Sequence, residues 1–356
     1  MKTQFAEHAR IVADHCLRVE EGDDVVIEAP PVAEPLVLAL ADVLGERGAS
    51  LTVSMISDRI RARYLQGFDD SVPEPTPTVA AFEAADGVVA IEGATNTAEL
   101  ADTPDRTATA YGEATAPARQ AYMDGDWTVT QYPASGNAQA AEMSTAAYRE
   151  FVHDAVTLDW EAQHAFQQQF VELLDPASEV RVRSDGTDLQ FSVDGMCADN
   201  EDGRLNLPGG EVGTAPVPET VDGDVLFDLP VRVLGTVVEN ARVTFEGGEV
   251  TSYSAERGER VLDELFGTDE GARRLGEFGI GMNRAITRPT QNVLFDEKMG
   301  DTVHFAFGQS LPPTLGADRT GNRSGVHEDL LVDMREQGRI EVDGETVYQD
   351  GTFTFE

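Results

Sequence analysis

The 356-residue sequence is nearly without lysine: Lys2 and Lys298 are the only two, and the other 24 basic residues are arginine. Against these 26 cations stand 65 Asp and Glu, for a formal net charge of −39. Such a surface repels phosphate backbones and anionic lipid, which excludes direct nucleic-acid binding and charge-driven membrane association. Cysteine is as scarce. Cys16 and Cys197 are too few for a disulfide framework and lack metal-type spacing, so each is expected to be a small buried hydrophobe in a reducing compartment. No stretch of 18 apolar residues occurs, and the opening MKTQFAEHARIVADHC has no apolar signal core. A soluble, cytoplasmic chain is expected. There is no G-x-G-x-x-G after the first strand, where EAPPVAEP stands, and no G-x-x-x-x-G-K-[ST], so nucleotide binding has no motif behind it.

The hydrophobic fraction of 41% is enough for folded cores, and the length predicts about two domains. The acids coat the whole chain and do not gather in a tail, as expected of a surface adapted to salt. At roughly 1 M salt, charges are screened over about 3 Å, so self-repulsion is tolerated there. The rival reading is an acidic binder of a cationic partner.

Apolar spacing predicts an opening helix over 4–18, in which His8 and His15 are packing or surface residues. Strands at 25–29 and 51–55 flank a helix at 35–47, a βαβ unit with a parallel sheet. Helices at 56–66 and 78–84, a strand at 87–91, a helix around 114–123 and a strand at 127–130 continue the alternation. A helical stretch at 143–174 carries His153, Trp160 and His164, with structural roles expected for both histidines. After Asp175-Pro176 the pattern turns to hairpins, interrupted by a helix over 257–275. The expected organisation is an open doubly wound, mostly parallel α/β domain over 1–142, a helical bridge over 143–176 and an α+β metal-binding domain over 177–356.

Candidate chemistry lies in the last of these. On an extended backbone residues i and i+2 share a face, so His327 and Asp329 can converge on one ion. His304 alternates with Val303, Phe305 and Phe307, pointing opposite them beside the small Ala306 and Gly308. Glu211 follows a Pro-Gly-Gly turn and Glu277 sits between glycines, both read as loop-like positions. Two histidines and three carboxylates suit one or two Zn²⁺, Co²⁺, Mn²⁺ or Fe²⁺ ions. Among 65 acids, a solvated surface charge is the competing reading for each carboxylate. The glycines of 276–281 fit close backbone packing better than a phosphate loop.

Several segments recur together in one order: the opening helix with Val19-Glu20-Glu21-Gly22-Asp23-Asp24-Val25-Val26-Ile27, Gly186-Thr187-Asp188-Leu189, and N-x-P-x-x-E-V at 206–212 with Thr214-Ala215-Pro216. They continue through LGEFGIG at 275–281, Asp296-Glu297-Lys298, His304-Phe305-Ala306-Phe307-Gly308 and S-x-x-H-x-D at 324–329. Over most of its length the chain thereby resembles the M29 family of metallo-aminopeptidases. The resemblance implies an α/β N-terminal domain, a C-terminal metal domain, a homodimer and peptide substrates cleaved at their N-termini. It implies two divalent ions (Zn²⁺, Co²⁺, Mn²⁺ or Mg²⁺) held by Glu211, Glu277, His304, His327 and Asp329, with Glu211 also the catalytic carboxylate. Two positions depart from the family pattern: Leu311 stands where members carry a tyrosine ligand, and Gly210 where they carry the first of two consecutive acids. Glu328 would point away from the site on a strand. Two alternatives follow. One is a ring-cleaving dioxygenase of the same fold, with a single Fe²⁺ on His304, His327 and Asp329. The other is a non-catalytic acidic binder of metal or peptide.

Overall fold

Short β-branched runs separated by amphipathic helices build the first half of the chain. In the computed structural model, which describes residues 2–356 and side chains from Phe5 onward, these are α1 (Lys2–Ile11), β1 (Asp24–Ala29), α2 (Glu34–Arg47), β2 (Ser50–Met55), α3 (Asp58–Leu65), α4 (Thr76–Glu83), β3 (Gly87–Glu92), α5 (Asp105–Asp124), β4 (Asp126–Gln131), α6 (Ser135–Ala140) and α7 (Thr145–Val156). The chain divides into two compact units, Met1–Leu158 with Gly203–Pro208, and Asp159–Asp202 with Gly209–Glu356.

In the first unit β1 pairs in parallel with β2 and β3, and β3 with β4. Val25, Val26, Ile27, Val88, Val89 and Ile91 are buried, as a parallel sheet covered by helices requires. Leu36, Leu40 and Leu44 of α2 fall at helical spacing and are buried. Three expectations change. The helix expected near 114–123 begins earlier and runs over all of Asp105–Asp124, with Pro117 inside both. The opening helix widens after Ile11 into a π-turn over Val12–Cys16. The stretch 143–174 is two helices, because Asp159 Oδ1 accepts from Ala162 N (3.0 Å) and starts a new one.

The second unit contains α8 (Trp160–Leu174), β5 (Glu179–Ser184), β6 (Thr187–Ser192) and β7 (Ala198–Glu201); the two-residue β8 (Asn206–Leu207) belongs to the first unit, where it pairs with β4. Then follow β9 (Glu211–Thr214), β10 (Asp222–Phe227), β11 (Val231–Val233), β12 (Thr236–Glu246), β13 (Glu249–Arg257), α9 (Glu259–Phe266), β14 (Leu275–Gly281), α10 (Val293–Asp296), β15 (Thr302–Gly308), β16 (His327–Asp333), β17 (Arg339–Val342), β18 (Glu345–Gln349) and β19 (Thr352–Phe353). The helix expected over 257–275 is confined to α9, and Leu275 opens β14 instead.

Two sheets form in this unit. A nine-stranded sheet has the order β11-β12-β10-β6-β5-β17-β18-β19, with β13 also on β12; a five-stranded antiparallel sheet has the order β16-β15-β14-β9-β7. Aromatic rings lock the two together: Phe191 meets Phe278 (5.2 Å) and Phe305 (6.1 Å), and Phe307 meets Phe227 (5.9 Å) and Phe245 (5.8 Å). Each buried ring contributes roughly 1.5–3 kcal/mol of hydrophobic stabilisation.

Neither cysteine is fully buried, contrary to expectation: Cys16 is half-buried and Cys197 exposed. Cys16 Sγ instead donates to Gly203 O (3.2 Å), and Cys197 immediately precedes the half-buried edge strand β7. Among the described residues, no helix is long and apolar enough to cross a membrane.

Candidate metal centre

Strand alternation divides the five-stranded sheet into two faces. Val212, Phe278, Ile280, Val303, Phe305, Phe307, Leu330 and Val332 take the inner face and are buried. The register then puts Glu211 and Gly213 of β9, Glu277 and Gly279 of β14, His304 and Ala306 of β15, and His327 and Asp329 of β16 on the other. Glu211 and Glu277 are thus strand residues, not loop residues. The glycines around Glu277 are a floor rather than a hinge. A bulge at 275–277 turns Leu275 towards Phe307 on the inner face while Glu277 stays opposite Ala306 on the site face.

Gly279 sits across from His304, and a Cβ there would lie 2.1 Å from the imidazole Cε1 and Nε2. At Gly213 a Cβ would lie 2.6 Å from Glu277 Oε1. The ring and the carboxylate therefore lie flat on the sheet, in space that any larger residue would fill.

All five candidate residues are brought together. Glu277, His304 and Asp329 each offer a ligand atom within 4.8 Å of the other two. His327 Nε2 is 3.2 Å from Glu277 Oε2 and 3.8 Å from Asp329 Oδ2, and His304 Nε2 is 3.6 Å from Glu211 Oε2. His327 Nδ1 lies 2.7 Å from Gln309 O; a carbonyl only accepts, so Nδ1 carries the proton and Nε2 faces the carboxylates. Gln167 Nε2 donates to Glu211 O (2.9 Å) and fixes the backbone beneath that residue.

The electrostatics call for a cation. Burial pushes the Glu211 carboxyl well up, against the pull of Lys298, and burial likewise raises Asp329 against the pull of both histidines. Burial pulls His327 down, but the Asp329 charge and the bond to Glu277 outweigh it and push the ring up to about 10. Glu277, whose burial acts upward, is held below its ordinary range by the His327 bond and the His304 charge. Glu211 Oε2, His304 Nδ1 and Asp329 Oδ1 are buried with no hydrogen-bond partner among the described residues. Buried polar atoms are rarely left so, because each costs about 1–3 kcal/mol unpaired. Unused carboxylate lone pairs beside the close group of Glu277, His304 and Asp329 fit a divalent ion.

The two departures are built into the fold. Gly210 has φ +113°, and a Cβ there would lie 2.5 Å from Asn283 Cβ, which leaves no room for an acid. Leu311 is 38% exposed and stands just before a 3₁₀ turn over Pro312–Thr314. Glu328 accepts from Leu234 N (3.2 Å), on the face opposite its neighbours.

One residue escaped the sequence reading. Lys298 is wholly buried, with Nζ 3.0 Å from Glu211 Oε1 and in contact with Glu297. Those two charges raise its pKa above the ordinary lysine value against the pull of burial. The available signal was its rarity, since the chain otherwise uses arginine.

A profile described as thermophilic metalloprotease (M29) matches residues 1–353. The chain belongs to the M29 metalloprotease family. It is 30% identical to aminopeptidase T of Thermus aquaticus over 98% of this chain and 96% of that protein. It is also 30% identical to aminopeptidase T of Thermus thermophilus over 95% and 93% of the two chains. The solved structure of wild-type AmpT from Thermus thermophilus superposes with a TM-score of 0.88 at 28% identity, covering 99% of both chains. A 2,5-dihydroxypyridine dioxygenase from Pseudomonas putida KT2440 superposes with a TM-score of 0.65 at 13% identity, over 100% of this chain and 98% of that one, a likeness of fold alone. Membership in the family implies divalent metal binding, which the unpaired atoms on the sheet face accommodate.

Proposed function

We propose that this M29 protein works through the face of its five-stranded sheet that carries the two glutamates, two histidines and Asp329, and that the second unit carries the catalysis. The protein is a metal-dependent aminopeptidase, and its substrates are peptides with a free N-terminus. The observation that carries the site is the group Glu277, His304 and Asp329, each with a ligand atom within 4.8 Å of the other two, beside the unpaired buried Oε2 of Glu211 on the same face. The proposed ligands are Glu211, Glu277, His304, His327 and Asp329, with room for up to two ions drawn from Zn²⁺, Co²⁺, Mn²⁺ and Mg²⁺.

The chemistry such an ion supplies when bound is polarisation of the scissile carbonyl and acidification of water. The chain's own groups do the rest. Gln309 O fixes the tautomer that leaves His327 Nε2 facing the cluster. The glycine floor keeps His304 and Glu277 flat and close. Glu211 presents Oε2 to the cluster, while its Oε1 stays on Lys298.

The dioxygenase reading is not favoured, because two glutamates face the His304, His327, Asp329 trio and no observation on the sheet singles out iron. We further propose a homodimer in a salt-rich cytoplasm, supported by the family likeness and by the net charge of −39.

The test is hydrolysis of matched short peptides with free and acetylated N-termini by metal-loaded protein. The expected result is release of the first residue from the free peptide only, abolished by chelation. Cleavage of both peptides, or activity that survives complete metal removal, overturns the reading.

A further inference from the structure

The Glu211 carboxylate is divided between two environments. Oε2 lies 3.6 Å from His304 Nε2 and has no hydrogen-bond partner among the described residues; Oε1 accepts from Lys298 Nζ at 3.0 Å. Lys298 has no exposed surface, and its ammonium also contacts Glu297. A buried ammonium between two carboxylates cannot leave without exposing both charges, so it is a fixed cation at the edge of the cluster.

A ligand glutamate that serves two ions through separate oxygens needs both of them free. Here one is already taken by a positive charge. For a first ion, Glu211 Oε2 and Asp329 Oδ1 are buried with no hydrogen-bond partner among the described residues, and Glu277, His304 and Asp329 each offer a ligand atom within 4.8 Å of the other two. A second ion calling on Oε1 has to compete with Lys298 for the same lone pairs and is repelled by its charge. We propose that Lys298 is a positioning residue that makes the two ion positions of this site unequal, by occupying the Glu211 oxygen the second ion requires. The inference rests on the ligand set given above. Glu297 tunes it, since it shares the ammonium with Glu211 and so weakens Lys298's hold on Oε1.

Calorimetric titration of metal-free full-length protein with Co²⁺, together with cobalt-to-protein ratios by elemental analysis, tests this. In the wild type the first ion binds at least about ten-fold (~1.4 kcal/mol) more tightly than the second. In Lys298→Met the two steps draw together, or a second equivalent appears where the wild type took one. In Glu297→Gln, which leaves Lys298 in place, they move further apart. Equal affinity for both ions in the wild type overturns the proposal, as does a profile that neither substitution changes. Circular dichroism checks that Lys298→Met folds; if it does not, the wild-type and Glu297→Gln titrations decide alone. His304→Ala separates the two levels of argument. Loss of the first step in that variant upholds the ligand set, and any failure then belongs to Lys298; retention of both steps rejects the ligand set itself.

Discussion

The chain buries two histidines in its two sheet-containing units, and they behave oppositely. In the first unit His8 Nε2 meets Thr130 Oγ1 at 2.7 Å, and burial, with the charge of His153, pushes the ring down to about 3. It is a neutral packing group with a partner. In the second unit His304 is as deeply buried, but it faces Glu211, keeps Nδ1 unpaired and lies on a glycine. Burial alone therefore does not mark a site; what distinguishes His304 is the acids around it and the unsatisfied lone pairs among them.

The sharpest way to break this comparison is to remove each ring in turn. His304→Ala should lose the metal and lower kcat/KM by at least ~10³-fold, since metal assistance is worth several kcal/mol of barrier. His8→Ala should cost stability while metal content per folded chain stays unchanged. Elemental analysis and peptide kinetics on both variants check this, and equal metal loss from the two would erase the distinction.

The two faces of the site sheet give the next contrast. Phe305→Ala on the inner face removes a ring packed against Phe191, Phe227 and Phe278 and should destabilise by about 3–5 kcal/mol. Denaturant unfolding should show that loss, with metal still bound by the folded fraction. Gly279→Ala on the outer face adds one methyl into the His304 ring and should cost a smaller ~1–3 kcal/mol, but here metal affinity should fall with it. Coupled loss of stability and metal in the first variant, or unchanged affinity in the second, would contradict the division of faces.

The smallest effect is the pH dependence that His8 contributes. The folded pKa of His8 lies below the unfolded value of 6.5, so the unfolded state binds more protons and stability is lost as pH falls. Between about pH 7 and pH 5.5 the loss is roughly 1 kcal/mol. His8→Gln should flatten that part of the stability curve in denaturant melts at fixed high salt; an unchanged slope would place the dependence elsewhere.

The same physics sets what the sequence could reveal. The V-H-F-A-F-G alternation of β15 and the H-x-D of β16 made one-sided display of His304, His327 and Asp329 readable, because strand period two is a local property. Glu277 and Glu211 looked loop-like because glycine is read as a turn former; only the pairing of Gly279 with His304 shows that those glycines make room for a neighbouring strand's side chain. Lys298 was quoted in a motif but given no task, since its contact with Glu211 joins residues 87 apart in sequence. In the first unit the helices and parallel strands were legible from periodicity, whereas α5 starts at Asp105, well before the helix expected around 114–123.

The central claim is that this sheet face holds catalytic metal. Its most direct test is the metal content of wild-type and His304→Ala protein purified in high salt, measured by elemental analysis beside release of the first residue from a short peptide. The account predicts at least one divalent ion per wild-type chain with cleavage, and neither metal nor cleavage in the variant. A variant that keeps both its metal and its activity would contradict it.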